Sequence, residues 1–503
     1  MIQQPAGYLL VLTTVLPVIG VMLSLALGGR RAERVALVLM PAGLAVAVAI
    51  LACVWTTRRP LLYVVGAWAA PLGVSLRADG ISASMLLTTA VVMCAVAHFA
   101  RADFRTPVAG PREARAPLAF WTLLLGVWGA LNMVFVGNDL FNLYVALELL
   151  TFGAVPLVSL DGRAETLAAA LRYLLFALLG SVLYLLGSAL LYGGYGTLDV
   201  VLLSGQIRAD TATEVAAALM TVGLLAKTAL FPLHLWLPPA HAGAPTAASA
   251  VLSALVVKAS FFLIVRLWFS VMPALLIQPA AQVLAALGSA AILFGSVLAI
   301  RQARLKLLIA YSTVAQIGYL FLMFPLVAGA ASAPGAGMAA WTGGMLQAIS
   351  HACAKAAMFM AAGLIALAVG HDRIADLAGV GRALPMTVFA FGLSGLTLMG
   401  VPPSGGFAAK WLLLTASIDR GQWWWAAVVV AGGMFTGAYL FRVLVRTVAR
   451  PGEPLALRAA VAWHREAVVL ALALLSVFLG LVPFGSFGVL QIGRLDLPPG
   501  LLR

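Results

Sequence analysis

Long apolar stretches recur along the chain, each about 20 residues or more, and each is set off from the next by charged residues or by glycine and proline. They are rich in leucine and alanine and lack the strict apolar-polar alternation of an outer-membrane barrel strand. The pattern predicts helices at 8–28, 34–55, 80–100, 117–136, 139–159, 165–193, 213–237, 245–270, 279–300, 305–328, 339–369, 384–416, 423–445 and 466–490. These amount to about fourteen membrane crossings, and the fold class they imply is an all-α membrane protein. The first run has no basic start and passes through Leu25-Ala26-Leu27-Gly28-Gly29 into Arg30, Arg31 and a second run, so it reads as a helix and not a signal peptide.

Composition agrees: 63% of residues are hydrophobic and 10% charged, outside the range of a soluble globular domain. The net charge of +14 does not point to nucleic acid, because the cations sit between apolar runs and form no long basic tract. Their placement speaks to topology. With the N-terminus outside, the inward loops hold most of the arginines, among them Arg30, Arg31, Arg34, Arg101, Arg105, Arg301, Arg304, Arg442 and Arg446, while the outward loops hold few, such as Arg58, Arg59 and Arg208. Both termini are therefore expected on the non-cytoplasmic side of a plasma membrane, the bacterial inner membrane. The three cysteines, Cys53, Cys94 and Cys353, lie inside apolar runs without paired spacing, which fits small buried side chains and not ligands or disulfides.

Several charges lie inside the runs, where each costs roughly 2.5–3.5 kcal/mol even on a lenient insertion scale. Arg172 and Arg266 stand near span ends and fit side chains that snorkel to the headgroups. Lys227, Lys258, Lys355 and Lys410 stand deeper, and Glu148 is the one carboxylate set deep in an apolar run, with Asp139 nearer the surface. A buried lysine beside a buried carboxylate forms a two-state switch, because removing one charge destabilises the other and invites a proton to move. A static ion pair fixing helix packing is the plainer reading of the same residues. Histidines supply relay candidates: His234 and His241 close to Lys227, and His351 one helical turn before Lys355.

Helix breakers flank these lysines. Pro232 follows Lys227 closely and Pro238 comes soon after, while Pro402 and Pro403, in Gly400-Val401-Pro402-Pro403-Ser404-Gly405-Gly406, precede Lys410. Broken helices at membrane depth occur where protein or water satisfies the freed backbone groups. One interrupted span in each half of the chain suggests a structural repeat with the transport site near the boundary.

At this point the sequence resembles the antiporter-like membrane proteins shared by Mrp-type multisubunit cation/proton antiporters, respiratory complex I and membrane-bound hydrogenases, and the match is nearest to the D-type antiporter component. The resemblance rests on Gly137-Asn138-Asp139-Leu140-Phe141-Asn142-Leu143-Tyr144 leading to Glu148, on the segment from Lys227 to His241, and on Pro245-Thr246 followed by Ser253-Ala254-Leu255-Val256-Val257-Lys258. It extends through Leu307 to Gly318, His351 with Lys355, and the Pro-Pro-Ser-Gly-Gly-Phe run ending at Lys410. It implies two inverted five-helix repeats, each with a broken helix. The parts would be helices one to three over 1–116, a first repeat over 117–272, a second over 273–447, and a last helix over 448–503. It also implies that Glu148 pairs with Lys227, that Lys258 is the central group, that His351 and Lys355 lie between the halves, and that Lys410 leads to the far side. The chain departs from the family pattern at Leu150-Thr151-Phe152-Gly153 and at Pro239.

The function expected is that of a proton-translocating subunit of a hetero-oligomeric membrane complex, moving protons with Na+ or K+ as exchange partners. The alternative is a proton-pumping membrane-arm subunit of a complex I-like NADH-quinone oxidoreductase or a membrane-bound hydrogenase. A purely structural scaffold is disfavoured by the buried charges. No cysteine cluster, haem attachment motif or dinucleotide fingerprint is present, so no cofactor or metal site is expected, and the expected partners are other membrane subunits and the lipid bilayer.

Overall fold

The computed structural model describes residues 5–106, 115–275, 277–328, 334–451, 455 and 457–496. Helices α1 (Tyr8–Leu27) and α2 (Gly29–Thr57) are joined at Gly28 and Gly29, whose φ angles of 59° and 48° suit residues without a Cβ. Strands β1 (Leu61–Val64) and β2 (Ser75–Ala78) form an antiparallel hairpin, with Leu61 opposite Ala78 and Val64 opposite Ser75. Then follow α3 (Gly80–Ala100), α4 (Arg115–Val136), α5 (Leu140–Val158), α6 (Ala164–Tyr195), the short α7 (Val200–Ser204), α8 (Thr211–Thr228) and α9 (Leu237–Gly243). The second half holds α10 (Thr246–Val271), α11 (Gln278–Arg301), α12 (Leu305–Val327), α13 (Gly335–Val369), α14 (Pro385–Met399), α15 (Gly405–Asp419), α16 (Trp423–Val448) and α17 (Trp463–Phe478).

Among the described residues eleven helices, α1 to α6, α10 to α13 and α16, are long and apolar enough to cross a membrane. The chain is an integral membrane protein of the all-α class with one small hairpin. The stretches expected as spans 213–237, 384–416 and 466–490 are not single continuous helices. The first ends at Thr228, the second divides between Met399 and Gly405, and the third stops at Phe478 before a 3-10 segment, Phe484–Gln491.

Leucine and valine cover much of the outside, as in α6, where Leu171, Leu175, Val182 and Leu186 are exposed. Such a surface is stable in hydrocarbon, where backbone hydrogen bonds must close within the helix. Burial grades inward: little of α1 and α2 is buried, α12 and α13 are largely enclosed, and α10 is buried throughout from Ala247 to Val271. The helix carrying Lys258 is thus enclosed by the other helices of the chain.

Candidate functional site

Helices α6 and α8 meet where Gly180 faces Gly223, and a Cβ on either glycine would run into the other's carbonyl oxygen. This close approach brings Lys227, in the last turn of α8, against α5 and α6. Its Nζ lies 3.2 Å from Glu148 Oε1 and 3.0 Å from Thr151 Oγ1. The Ser181 hydroxyl donates to the same Glu148 oxygen. With side-chain exposures of 6% for Lys227 and 14% for Glu148, the pair is largely removed from lipid and water. Both charges gain strength from that shielding, and neither is favourable without the other.

The break after Lys227 has a local cause. Ala229 takes the left-handed conformation (φ 59°, ψ 39°), which ends α8, and the released Ala226 carbonyl accepts the Trp236 indole N–H at 2.9 Å. Trp236 is stacked on Tyr173 with ring centroids 4.2 Å apart. Pro232 lies in the break. Pro238 instead opens α9, in a first-turn position where its missing N–H is no loss, so it starts a helix and does not interrupt one. The other end of α9 is held by cations from outside: Arg163 Nη2 donates to the Gly243 carbonyl at 3.3 Å and Lys306 Nζ to the Ala244 carbonyl at 3.1 Å.

At the centre, a π-helical turn over Leu252–Val256 precedes Lys258, and the Lys258 ammonium donates to the Ser253 carbonyl. Lys258 and Lys355 are both 0% exposed, and among the described residues no carboxylate pairs with either. Lys355 Nζ is bound by the Ile309 carbonyl at 3.0 Å and by the Ser312 hydroxyl. His241 and His351 are fully enclosed, with neither ring nitrogen bonded to a protein group. His241 lies within electrostatic reach of Lys258 and Lys355, and His351 within reach of those two and of Lys410. His234 is buried beside Phe231, with ring centroids 5.6 Å apart, and its Nδ1 has no protein partner.

Lys410 sits at the second break. Gly400, at φ 85°, ends α14, Val401, Pro402 and Pro403 cross the gap, and the Ser404 hydroxyl caps α15 at the Phe407 N–H. Lys410 Nζ donates to the last carbonyls of α14, 2.6 Å from the Leu398 oxygen and 3.4 Å from that of Met399. The Leu398 carbonyl also accepts Gln316 Nε2 at 3.0 Å, and Gln316 Oε1 accepts Gln347 Nε2 at 3.0 Å. A polar thread therefore runs from Lys410 into α12 and α13.

Arg172 is exposed on the outside of α6, and Asp139 caps α5 by accepting the N–H groups of Phe141 and Asn142. The snorkelling expected of Arg266 does not occur. It is buried, with both guanidinium nitrogens on Asp79, which also accepts from Arg77 Nη1 at 3.1 Å and from the Ser82 N–H at 3.0 Å. Burial alone would raise the Asp79 carboxyl, but Arg266 and Arg77 outweigh it and hold that group below its ordinary range. Asp79 escapes notice in the sequence because it precedes its span. Its position as the cap of α3 in Arg77-Ala78-Asp79-Gly80 is the available signal. Ser181 and Thr151 carry no signal of their own, since isolated hydroxyls in apolar helices usually bond to the preceding turn, as both also do here.

A broken-helix membrane protein with buried lysines, a lysine–glutamate pair within its spans and enclosed histidines fits the class of antiporter-like subunits. The chain is a member of the family described as NADH:quinone oxidoreductase/Mrp antiporter, which matches residues 137–436. The N component of the NADH-quinone oxidoreductase of Desulforudis audaxviator is 34% identical over 391 residues, covering 77% of this chain and 75% of its own length. The D component of the Na(+)/H(+) antiporter of Alkalihalophilus pseudofirmus is 27% identical, covering 76% of this chain and 74% of its own. A chain of the Mrp complex from Dietzia sp. superposes with a TM-score of 0.85 at 26% identity, over 97% of this chain and 96% of that one. These relatives and the structural neighbour are parts of larger membrane assemblies.

Proposed function

We propose that this chain translocates protons as one subunit of a multisubunit complex in a bacterial inner membrane. The observation that carries the reading is the buried Glu148–Lys227 pair, together with the further buried groups Lys258, His351, Lys355 and Lys410. An ion pair can open and close. When it opens, the uncompensated Lys227 charge raises the cost of a positive charge on the next lysine, and a proton is displaced along a series of these groups. Buried ring nitrogens without protein partners, on His241 and His351, are suited to carry it through intervening water.

Two inverted repeats, over 117–272 and 273–447, fit the placement of one broken span in each, α8 with α9 and α14 with α15, each bearing a lysine beside the break. The segments 1–116, with the first three helices, and 448–503, with the last one, flank them. Counting the two broken spans and α17 with the eleven continuous helices would give fourteen crossings, which leave both termini on one side, and the arginine bias of the loops favours the non-cytoplasmic one. In this arrangement Glu148, Lys227, Lys258, Lys355 and Lys410 are the proton-transfer groups, with His234, His241 and His351 as relays.

Two couplings compete. Likeness to a chain of the Mrp complex, with the match to an Na(+)/H(+) antiporter D component, favours cation/proton antiport of the D type. The higher identity to an NADH-quinone oxidoreductase component favours a redox-driven assembly of the complex I or membrane-bound hydrogenase kind. Reconstituting the purified complex with a pH dye inside the vesicles separates them. An imposed Na+ or K+ gradient drives proton movement in the first case, and an electron donor with its acceptor, quinone for a complex I-like assembly or protons for a hydrogenase-like one, drives it in the second. No proton movement under either drive contradicts the proposal.

A further inference from the structure

We infer that Tyr319 is a positioning residue for Lys410, holding the lysine ammonium on the face of its ring. The inference rests on the proton-transfer role of Lys410 and adds a group that role requires. Lys410 Nζ stands 4.0 Å from the centroid of the Tyr319 ring, well inside the range of a cation–π contact. Tyr319 is 0% exposed, and no carboxylate pairs with Lys410 among the described residues. Among the described residues the ammonium is therefore held by the carbonyl oxygens at the end of α14 and by the ring.

Two glycines keep this arrangement open. A Cβ on Gly432 of α16 would strike the Tyr319 hydroxyl and stand 3.0 Å from its Cζ. A Cβ on Gly400 would lie 2.8 Å from Lys410 Cδ, in the path of the lysine stem. Lys410 also lines a cleft of about 330 Å³ that includes Phe407, Trp411, Val430 and Met434, three of which, Trp411, Val430 and Met434, are exposed. Tyr319 is not among the residues lining this cleft, so ring and cleft are separate neighbours of the lysine.

A ring face suits a group that must gain and release a proton repeatedly. It attracts the ammonium through its quadrupole but takes no proton, so it cannot trap the transported charge as a carboxylate at the same distance would. The hydroxyl of Tyr319 is not required by this account; the aromatic face is.

The test places phenylalanine and then mono-, di- and trifluorophenylalanine at position 319 in the assembled complex, with proton flux in proteoliposomes normalised to complex content. Fluorine withdraws density from the ring face and changes its shape little. Tyr319→Phe is expected to keep at least half of the wild-type rate. Added fluorines are expected to lower the logarithm of the rate in even steps, to a total between about twofold and thirtyfold, the span of such contacts. Tyr319→Leu should fall at least as far as the most fluorinated ring. A flat fluorine series overturns the inference, and so does a Tyr319→Phe variant as impaired as Tyr319→Leu, because packing or the hydroxyl would then account for the residue. A wild-type complex that moves no protons overturns the transport reading itself, which the fluorine series leaves distinguishable.

Discussion

Lys227 reaches two partners on α5 with one nitrogen: Glu148 Oε1 at 3.2 Å and Thr151 Oγ1 at 3.0 Å, the two residues lying one helical turn apart. The carboxylate supplies the charge, and the hydroxyl fixes where the ammonium rests. These contributions separate by substitution. Thr151→Ala removes an acceptor from a buried ammonium, a loss of about 1–3 kcal/mol, while the ion pair survives. Proton flux should fall several-fold without vanishing, and Thr151→Ser should recover most of it. An unchanged rate in Thr151→Ala would show that the hydroxyl plays no part.

Lys258→Met should stop transport, because the central group of the series would no longer titrate, and the complex should still assemble since a buried charge is removed. Arg58→Gln and Arg208→Gln should leave the rate near wild type, as both arginines are exposed and lie outside the spans. Equal damage from both kinds of change, measured in the same vesicles, would mean that net charge and not position matters.

Lys410 lies beside the α14 end and the open cleft, where its role calls for a titratable group. Lys410→Glu is therefore expected to keep measurable proton movement with a shifted pH optimum, and Lys410→Leu to have none. If the ammonium served only to fasten α14 to α15, Glu would fail as completely as Leu.

Asp79 should matter for stability. Asp79→Asn leaves the buried guanidiniums of Arg266 and Arg77 without their carboxylate, a cost of about 3–5 kcal/mol. Because the carboxyl is held below its ordinary range, its contribution is fully present above about pH 4 and is lost as pH falls through the lower folded value. The Tm of the purified wild type should accordingly drop on acidification below that point. Asp79→Asn should start lower at neutral pH and show a smaller acid drop, and identical acid profiles would contradict this role.

Most of the architecture is legible in the sequence because a membrane span announces itself by length and apolarity, which need no tertiary partner. The breaks are harder. Proline marks the region after Lys227, but the helix actually ends at Ala229, where a left-handed residue and the Trp236 indole settle the backbone. Pro238, which reads as a second breaker, occupies a first-turn position that tolerates it. Deep charges stand out individually because apolar surroundings make them costly. Their neighbours Ser181, Thr151 and Tyr319 do not, since a hydroxyl or a ring in an apolar helix is ordinary until another helix brings a charge against it. Arg266 shows the same limit: its place near the span end suggests a route to the surface, and only packing brings it against Asp79.

The central claim is that opening and closing the Glu148–Lys227 pair drives proton movement, and Glu148→Ala tests it most directly. Whole complexes carrying wild-type chain, Glu148→Asp or Glu148→Ala are to be reconstituted at equal content, and internal pH followed under the driving force that works for wild type. The account predicts no coupled proton flux for Glu148→Ala despite normal insertion, and partial flux for Glu148→Asp, whose carboxylate survives on a shorter stem. Near-normal flux in Glu148→Ala would contradict it.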